Sequence, residues 1–137
     1  MKAVVVALLC IASSASAQTT DSLIAAAQRA AGHWRAHDFV AMVAGARQLE
    51  VHLPGTDPSS PVGRAQAVEL LKAFVGPSRE IEVEVEVARS VKPGRGYVEL
   101  RRTFVMRPGA ERRTQVVYLT LRIAGSTYRV AGVRVVP

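Results

Sequence analysis

Cysteine is almost missing from this chain of 137 residues, which contains only Cys10. A single cysteine has no partner for an intramolecular disulfide, and residues 18–137 contain no thiol at all. That segment therefore cannot use thiol chemistry or a thiolate metal site. Its stability has to come from side-chain packing and backbone hydrogen bonds.

Long apolar runs are missing too, since the run over residues 3–12 is about half the length that a membrane-spanning helix needs. It follows Lys2 and precedes Ala-Ser-Ala at residues 15–17. A basic start, a short apolar run and small residues at a cleavage site are the parts of a secretory signal peptide. We therefore predict cleavage after Ala17, rather than a membrane anchor, and a mature domain over residues 18–137. This prediction places the protein in the periplasm or outside the cell.

Acidic residues are scarce relative to basic ones, with 11 against 18 and a formal net charge of +7. An excess of basic charge can attract nucleic acids or membranes. The arginines between Arg95 and Arg134, however, lie among alternating apolar residues, which is typical of the solvated face of a sheet. We therefore predict no nucleic-acid partner and no membrane span after cleavage. The length left after cleavage suits one ordinary domain.

Helical periodicity predicts three helices in the first half of the chain. The first covers residues 21–36 and is amphipathic. The second begins after Asp38, whose carboxylate can accept the free amide hydrogens of the first turn. The third begins after Ser60, with Pro61 in its first turn, and ends at Gly76. The residues predicted to face the core are Leu23, Ala27, Ala30, Trp34, Phe39, Met42, Val43, Ala65, Val68, Leu71, Phe74 and Val75.

Alternation of apolar and polar residues predicts strands elsewhere. One strand covers residues 49–53, and four follow over 81–87, 97–107, 113–124 and 128–136. Short turns between the last four imply an antiparallel meander, so the helices should cover one face of a curved sheet in an α+β fold. The glutamates predicted to face water are Glu80, Glu82, Glu84 and Glu86. The residues predicted to face inward in the next two strands are Val98, Leu100, Arg102, Phe104, Met106, Val117, Leu119, Leu121 and Ile123.

Three segments, at residues 34–39, 49–55 and 61–68, carry a family resemblance in their order and spacing. They read Trp-Arg-Ala-His-Asp-Phe, Leu-Glu-Val-His-Leu-Pro-Gly and Pro-Val-Gly-Arg-Ala-Gln-Ala-Val. Together they resemble the nuclear transport factor two-like superfamily, which includes SnoaL-like proteins and ketosteroid isomerase, over residues 21–137. The resemblance implies a cone-shaped roll, in which three helices pack on a curved, mainly antiparallel sheet around a pocket. Since members of this family differ widely in activity, the fold implies little about chemistry.

The resemblance places a pocket at the centre of the roll. In the isomerase branch a carboxylate base ends the first strand, and the matching position here is Leu53, which cannot take a proton. Arg102 lies in the middle of an apolar strand face, where a buried guanidinium needs an anionic partner. That partner could be a bound carboxylate or phosphate or a nearby glutamate, unless a bulge turns Arg102 toward solvent. The predicted pocket residues are Trp34, Phe39, Leu53, Phe74, Arg102 and Phe104, although core packing alone also explains the aromatic ones.

Histidines supply the remaining candidate sites. His33 and His37 are four residues apart on a helix, and Asp38 or His52 could be a third ligand. Asp38 is more simply explained as a helix cap and no metal-binding motif is present, so we predict no metal. His52 and Asp38 are weak candidates for an acid–base pair. No phosphate-binding loop is present, and we predict no cofactor.

We therefore expect a non-catalytic domain that binds a small apolar or anionic ligand or assembles with other protein. A homodimer would form through the outer sheet face. The alternative is an isomerase or dehydratase-like enzyme that uses His52 or Asp38. The residues predicted to form the dimer face are Thr103, Val105, Val116, Tyr118 and Thr120.

Overall fold

The fold was analysed in a computed structural model, which describes residues 15–56 and 61–137. The helices are α1 (Ala15–Arg35), α2 (Phe39–Met42) and α3 (Arg64–Val75). The strands are β1 (Gln48–His52), β2 (Val62–Gly63), β3 (Arg79–Lys92), β4 (Arg95–Val105), β5 (Arg113–Ala124) and β6 (Thr127–Val135).

One six-stranded sheet contains all the described strands, in the order β2-β1-β6-β5-β4-β3. The last four strands form the predicted antiparallel meander, in which residues such as Leu100 and Val117 lie opposite each other. β1 pairs with β6 in parallel, with Val51 beside Val133. This mostly antiparallel sheet with three helices confirms the predicted α+β roll.

The first helix begins earlier than predicted. α1 starts at Ala15 rather than at residue 21, so the predicted cleavage point and the following residues 18–20 lie in its first turns. Residues 1–14, which contain most of the predicted signal peptide, lie outside the described residues. In the described part of the chain, no helix is long and apolar enough to cross a bilayer. Cleavage after Ala17 stays a prediction.

The second helix begins as predicted, and the third does not. Asp38 accepts a hydrogen bond at Oδ1 from the Ala41 amide at 3.1 Å, which caps α2. The third helix begins at Arg64, because Val62 extends into β2 and pairs with Leu49. Pro61 therefore precedes the helix instead of lying in its first turn. The predicted cap, Ser60, lies outside the described residues.

The core lies between the helices and one face of the sheet. Strand residues such as Val98, Leu100, Val117 and Leu119 are fully buried there, as predicted. At Gly96 the helix approaches so closely that an added Cβ would collide with the Leu23 side chain.

Three residues predicted to face the core are exposed. Met106 and Ile123 are 37% and 41% exposed, and each lies next to the turn that ends its strand. Ala65 is exposed in the first turn of α3, where Ala67 is buried instead.

Candidate functional site

A β-bulge turns Glu80 into the interior of the roll. Glu80 lies opposite Phe104 and Glu82 opposite Thr103, so Ile81 is an extra residue in β3. Strict alternation would place Glu80 and Glu82 on the same face of the sheet, but the extra residue places them on opposite faces. Glu80 is therefore buried, with a side chain that is 1% exposed, and the prediction that it faces water was wrong. Glu82, Glu84 and Glu86 remain exposed as predicted, with 33% of the Glu86 side chain accessible.

Arg102 is the buried partner of Glu80. Its side chain is 2% exposed, and its Nε and Nη2 donate to the two carboxylate oxygens of Glu80, the Nε–Oε2 distance being 3.1 Å. Nη2 also donates to Ser78 Oγ at 2.9 Å, and Nη1 donates to Gln115 Oε1 at 3.1 Å. Burial lowers the pKa of Arg102, and the bonds to Glu80 oppose that shift. Of the partners considered from the sequence, a nearby glutamate is the one present.

Aromatic rings surround the Arg102 guanidinium. Its carbon lies 3.9 Å from the centre of the Phe104 ring, 5.6 Å from that of Trp34 and 5.8 Å from that of Phe74. Trp34 in turn contacts Phe39 edge to face, with ring centres 5.2 Å apart. The structure thus brings five of the predicted pocket residues together, and the guanidinium fills the space between the rings. Leu53, the sixth, is buried in the same core.

His37 completes this cluster, which sequence reasoning had considered only for metal binding. Its Nε2 lies 3.0 Å from Glu80 Oε1, and its ring stacks on Phe39 with centres 5.9 Å apart. The backbone of His37 is left-handed, with φ of 53°, which aims the ring back toward the sheet. In residues 15–56 and 61–137, no three histidine, cysteine or carboxylate side chains gather as a metal site requires.

Two substitutions at His37 distinguish the contribution of its side-chain hydrogen bond to stability from that of its backbone conformation. Glycine and alanine both remove the bond to Glu80, but only glycine adopts positive φ without strain. We expect His37→Gly to be more stable than His37→Ala by about 1 kcal/mol in urea unfolding. Equal free energies of unfolding for the two variants would contradict the left-handed backbone at this residue.

The other histidine candidate lies on the opposite face of the sheet. His52 points outward, since its neighbours Val51 and Leu53 are buried in the core, and it lies beside Arg134 of β6. Asp38 caps α2 on the helical side. The structure therefore does not bring His52 and Asp38 together as an acid–base pair.

The outer sheet face contains a shallow depression of about 750 Å³. Its centre is formed by Tyr97 and Tyr118, whose ring centres are 6.2 Å apart. The Tyr97 hydroxyl donates to Glu99 at 2.6 Å, and burial together with this bond raises the pKa of Tyr97 to about 12. Val116, Tyr118, Thr103 and Val105 are half-buried and Thr120 is exposed, so the predicted dimer residues do share this outward face.

Charge is distributed unevenly across this face. Glu82 and Glu84 project from the β3 edge, and Glu82 raises the pKa of Glu84 by a side-chain hydrogen bond and by charge repulsion. The third glutamate of this strand, Glu86, forms an ion pair with Arg101, whose Nε lies 2.9 Å from Glu86 Oε1. Toward the other edge, β6 presents Arg134 beside the depression. The Glu82–Glu84 pair and Arg134 therefore lie on opposite sides of this face, and Glu50 of β1 lines the depression together with Arg134.

Comparison with known proteins identifies the fold. No family model and no curated protein matches this chain. A ketosteroid isomerase-like protein from Erwinia carotovora atroseptica aligns with a TM-score of 0.65 and 14% identity, covering 85% of this chain and 93% of that one. An NTF-2-like protein of unknown function from Shewanella oneidensis aligns with a TM-score of 0.60 and 13% identity, covering 85% and 97%. An M. tuberculosis LEH-like epoxide hydrolase aligns with a TM-score of 0.59 and 18% identity, covering 85% and 82%.

By its own architecture, this chain belongs to the class of α+β rolls in which helices cover one face of a sheet. The chain has the nuclear transport factor two-like fold, as its sequence segments predicted. Because the fold serves both enzymes and proteins of unknown function, it does not by itself assign an activity.

Proposed function

We propose that this protein is an exported, non-catalytic assembly domain that binds a second copy of itself through the outer face of its sheet. Export rests on the signal-peptide pattern of residues 1–17. The observation that carries the assembly role is the outer face itself, where two tyrosines lie between the glutamates of β3 and Arg134 of β6.

The interior of the roll supports a non-catalytic role. The position matched to a catalytic base is Leu53, which has no ionisable group. The buried cation, Arg102, already has a carboxylate, a hydroxyl and an amide as partners, so it has little capacity left for a substrate. His52 and Asp38 lie on opposite sides of the sheet, which leaves the alternative enzymatic mechanism without an assembled acid–base pair.

Charge complementarity favours a second copy as the partner. A two-fold axis parallel to the strands and lying between β4 and β5 would place β3 of one copy over β6 of the other, because β5 and β4 separate β6 from β3 in the sheet. Glu84 of each copy would then lie over β6 of the other, near Arg134. A two-fold axis perpendicular to the strands would instead place β3 of one copy over β3 of the other, with glutamates facing glutamates. The face is therefore self-complementary in the first arrangement, with the tyrosines at its centre.

Charge reversal tests this arrangement. We expect Glu84→Arg and Arg134→Glu, each alone, to weaken dimerisation at least about tenfold, because each change places like charges together twice in a symmetric dimer. The double variant Glu84→Arg/Arg134→Glu should recover most of the wild-type affinity. Sedimentation equilibrium over a concentration series would measure the dissociation constants.

The matched control is Glu69→Arg, which makes the same charge change at an exposed position of α3, on the far side of the sheet. It should leave the dimer unchanged. A wild-type chain that stays monomeric at all concentrations, or a double variant no better than the single ones, would overturn the proposed assembly.

A further inference from the structure

Four basic side chains cross one end of the sheet in a single register. Lys92 of β3 lies opposite Arg95 of β4, Arg95 lies opposite Arg122 of β5, and Arg122 lies opposite Arg129 of β6. Residues directly opposite each other in antiparallel strands project from the same face, and all four are exposed. We call these four residues the basic row.

The basic row is unfavourable for the isolated fold. Like charges directly opposite each other in a sheet repel, and the row contains three such pairs. Within the described residues, none of its four members takes part in a salt bridge. The row therefore has no counter-charge in the described chain, and an anionic surface laid across it would relieve the repulsion.

Exposed aliphatic side chains flank the basic row at the ends of the hairpins. Val91 is an extra residue in β3, between Ser90 and Lys92, and is 58% exposed. Ile123 of β5 is 41% exposed, and its backbone N–H donates to Gly94 O at 2.9 Å, so the β3–β4 turn lies against the end of β5. Basic groups beside exposed aliphatic ones match a bilayer surface, where cations meet the headgroups and apolar side chains reach below them.

The beginning of the chain leaves the domain at this same end. Leu23 of α1 lies against Gly96, which is next to the basic row in β4, whereas Trp34 lies over Arg102, farther along that strand. α1 therefore runs away from the row, and its first residue lies toward the row's end of the sheet. The apolar run of residues 3–12 precedes α1. Whenever that run is held in a bilayer, this end of the domain faces the headgroups.

We propose that the basic row docks on the surface of a bilayer that contains anionic phospholipids. Its ammonium and guanidinium groups contact the lipid phosphates, and Val91 and Ile123 insert among the headgroups. A soluble polyanion would match the charges but would leave both aliphatic side chains in water, so the bilayer is the better match. The contact does not require the proposed assembly. A two-fold axis parallel to the strands would carry the rows of both copies to the same end of the dimer, where one bilayer meets both.

Sedimentation of the full chain with vesicles tests this contact. Vesicles of phosphatidylcholine alone measure the binding that does not depend on lipid charge, including any contribution of residues 3–12. Vesicles of equal parts phosphatidylcholine and phosphatidylglycerol add anionic headgroups. One basic residue near such a surface strengthens partitioning about fivefold, so the basic row should favour the anionic vesicles by about a hundredfold at low salt. This preference should fall as salt is added.

A matched pair of double variants assigns the preference to the basic row. Arg95→Gln/Arg122→Gln should lower binding to the anionic vesicles about tenfold or more. It should not lower the melting temperature, because it removes two like charges that lie opposite each other. Arg107→Gln/Arg112→Gln makes the same change in net charge at exposed positions between β4 and β5, at the other end of the sheet, and should lower binding by about twofold or less.

A single variant tests the aliphatic part of the contact. Val91→Asn should weaken binding to the anionic vesicles several-fold, whereas Val40→Asn, at a valine of α2 that is 59% exposed, should not. Soluble polyphosphate is the competing ligand. If the full chain binds polyphosphate as tightly as the anionic vesicles and Val91→Asn weakens neither interaction, the row serves a soluble polyanion and the bilayer is rejected.

Two further results would overturn the docking, namely equal binding to the two kinds of vesicle and equal losses in the two double variants. Sedimentation equilibrium without vesicles keeps these outcomes apart from the assembly. Arg95→Gln/Arg122→Gln should not weaken the dimer, because the rows of the two copies would repel each other there. The vesicle preference can therefore fail while the dimer persists, and the dimer can fail while the preference persists.

Discussion

Replacing Glu80 with alanine is expected to destabilise the domain by about 3–5 kcal/mol, because it leaves a buried guanidinium without its counter-charge. Arg102 and Glu80 have side chains that are 2% and 1% exposed, so water cannot replace the lost carboxylate. Ser78 and Gln115 would remain as neutral partners. Urea unfolding followed by far-ultraviolet circular dichroism would measure the change in the free energy of unfolding.

Two further variants show whether the ion pair itself is responsible. Glu82→Ala, across the bulge on the exposed side of β3, should change stability by about 0.5 kcal/mol or less. The double variant Glu80→Leu/Arg102→Met should be more stable than Glu80→Ala, despite carrying two changes, because it removes both buried charges. If Glu80→Ala costs no more than Glu82→Ala, the cluster does not hold the roll together.

Replacing Trp34 with alanine is the second large effect, with an expected loss of about 3–5 kcal/mol. Trp34 is 0% exposed and packs against Phe39 and over Arg102, so its removal leaves a cavity where α1 meets the sheet. Because this is the single tryptophan of the chain, unfolding has to be followed by circular dichroism rather than by its fluorescence.

Controls for Trp34 come from the same residue and the same helix. Trp34→Phe keeps part of the ring and loses an indole N–H that has no partner in the described chain, so it should cost clearly less than alanine. Ile24→Ala, at a position of α1 that is 44% exposed, should cost less still. A Trp34→Ala variant as stable as Ile24→Ala would contradict the packing described for α1.

Features set by neighbouring residues were predictable from the sequence. The Asp38 cap depends on an amide three residues away, and the inward faces of β4 and β5 follow from alternation alone. The start of α3 was not predictable in this way. Pro61 is a local helix-start signal, but Val62 pairs with Leu49, which lies far off in the sequence.

One residue of the central ion pair, Arg102, was predictable from the sequence, and the other, Glu80, was not. Arg102 stood out because it interrupts an apolar strand face, and it is indeed buried. Glu80 did not stand out, since it begins an unbroken alternation of glutamate and apolar residues. The bulge at Ile81 appears only once β3 is paired with β4, where an inward Glu80 meets the guanidinium. No local pattern encodes that register shift.

The pairing of β1 with β6 has a consequence for how the chain is made. Residues 50–52 complete their parallel ladder with residues 132–134, which follow β3, β4 and β5 in the chain. Contacts between such distant segments form slowly, because a long loop must close first. Until β6 has been made, the chain lacks the strand that joins β1 to the meander, so β1 cannot take its place in the sheet before then.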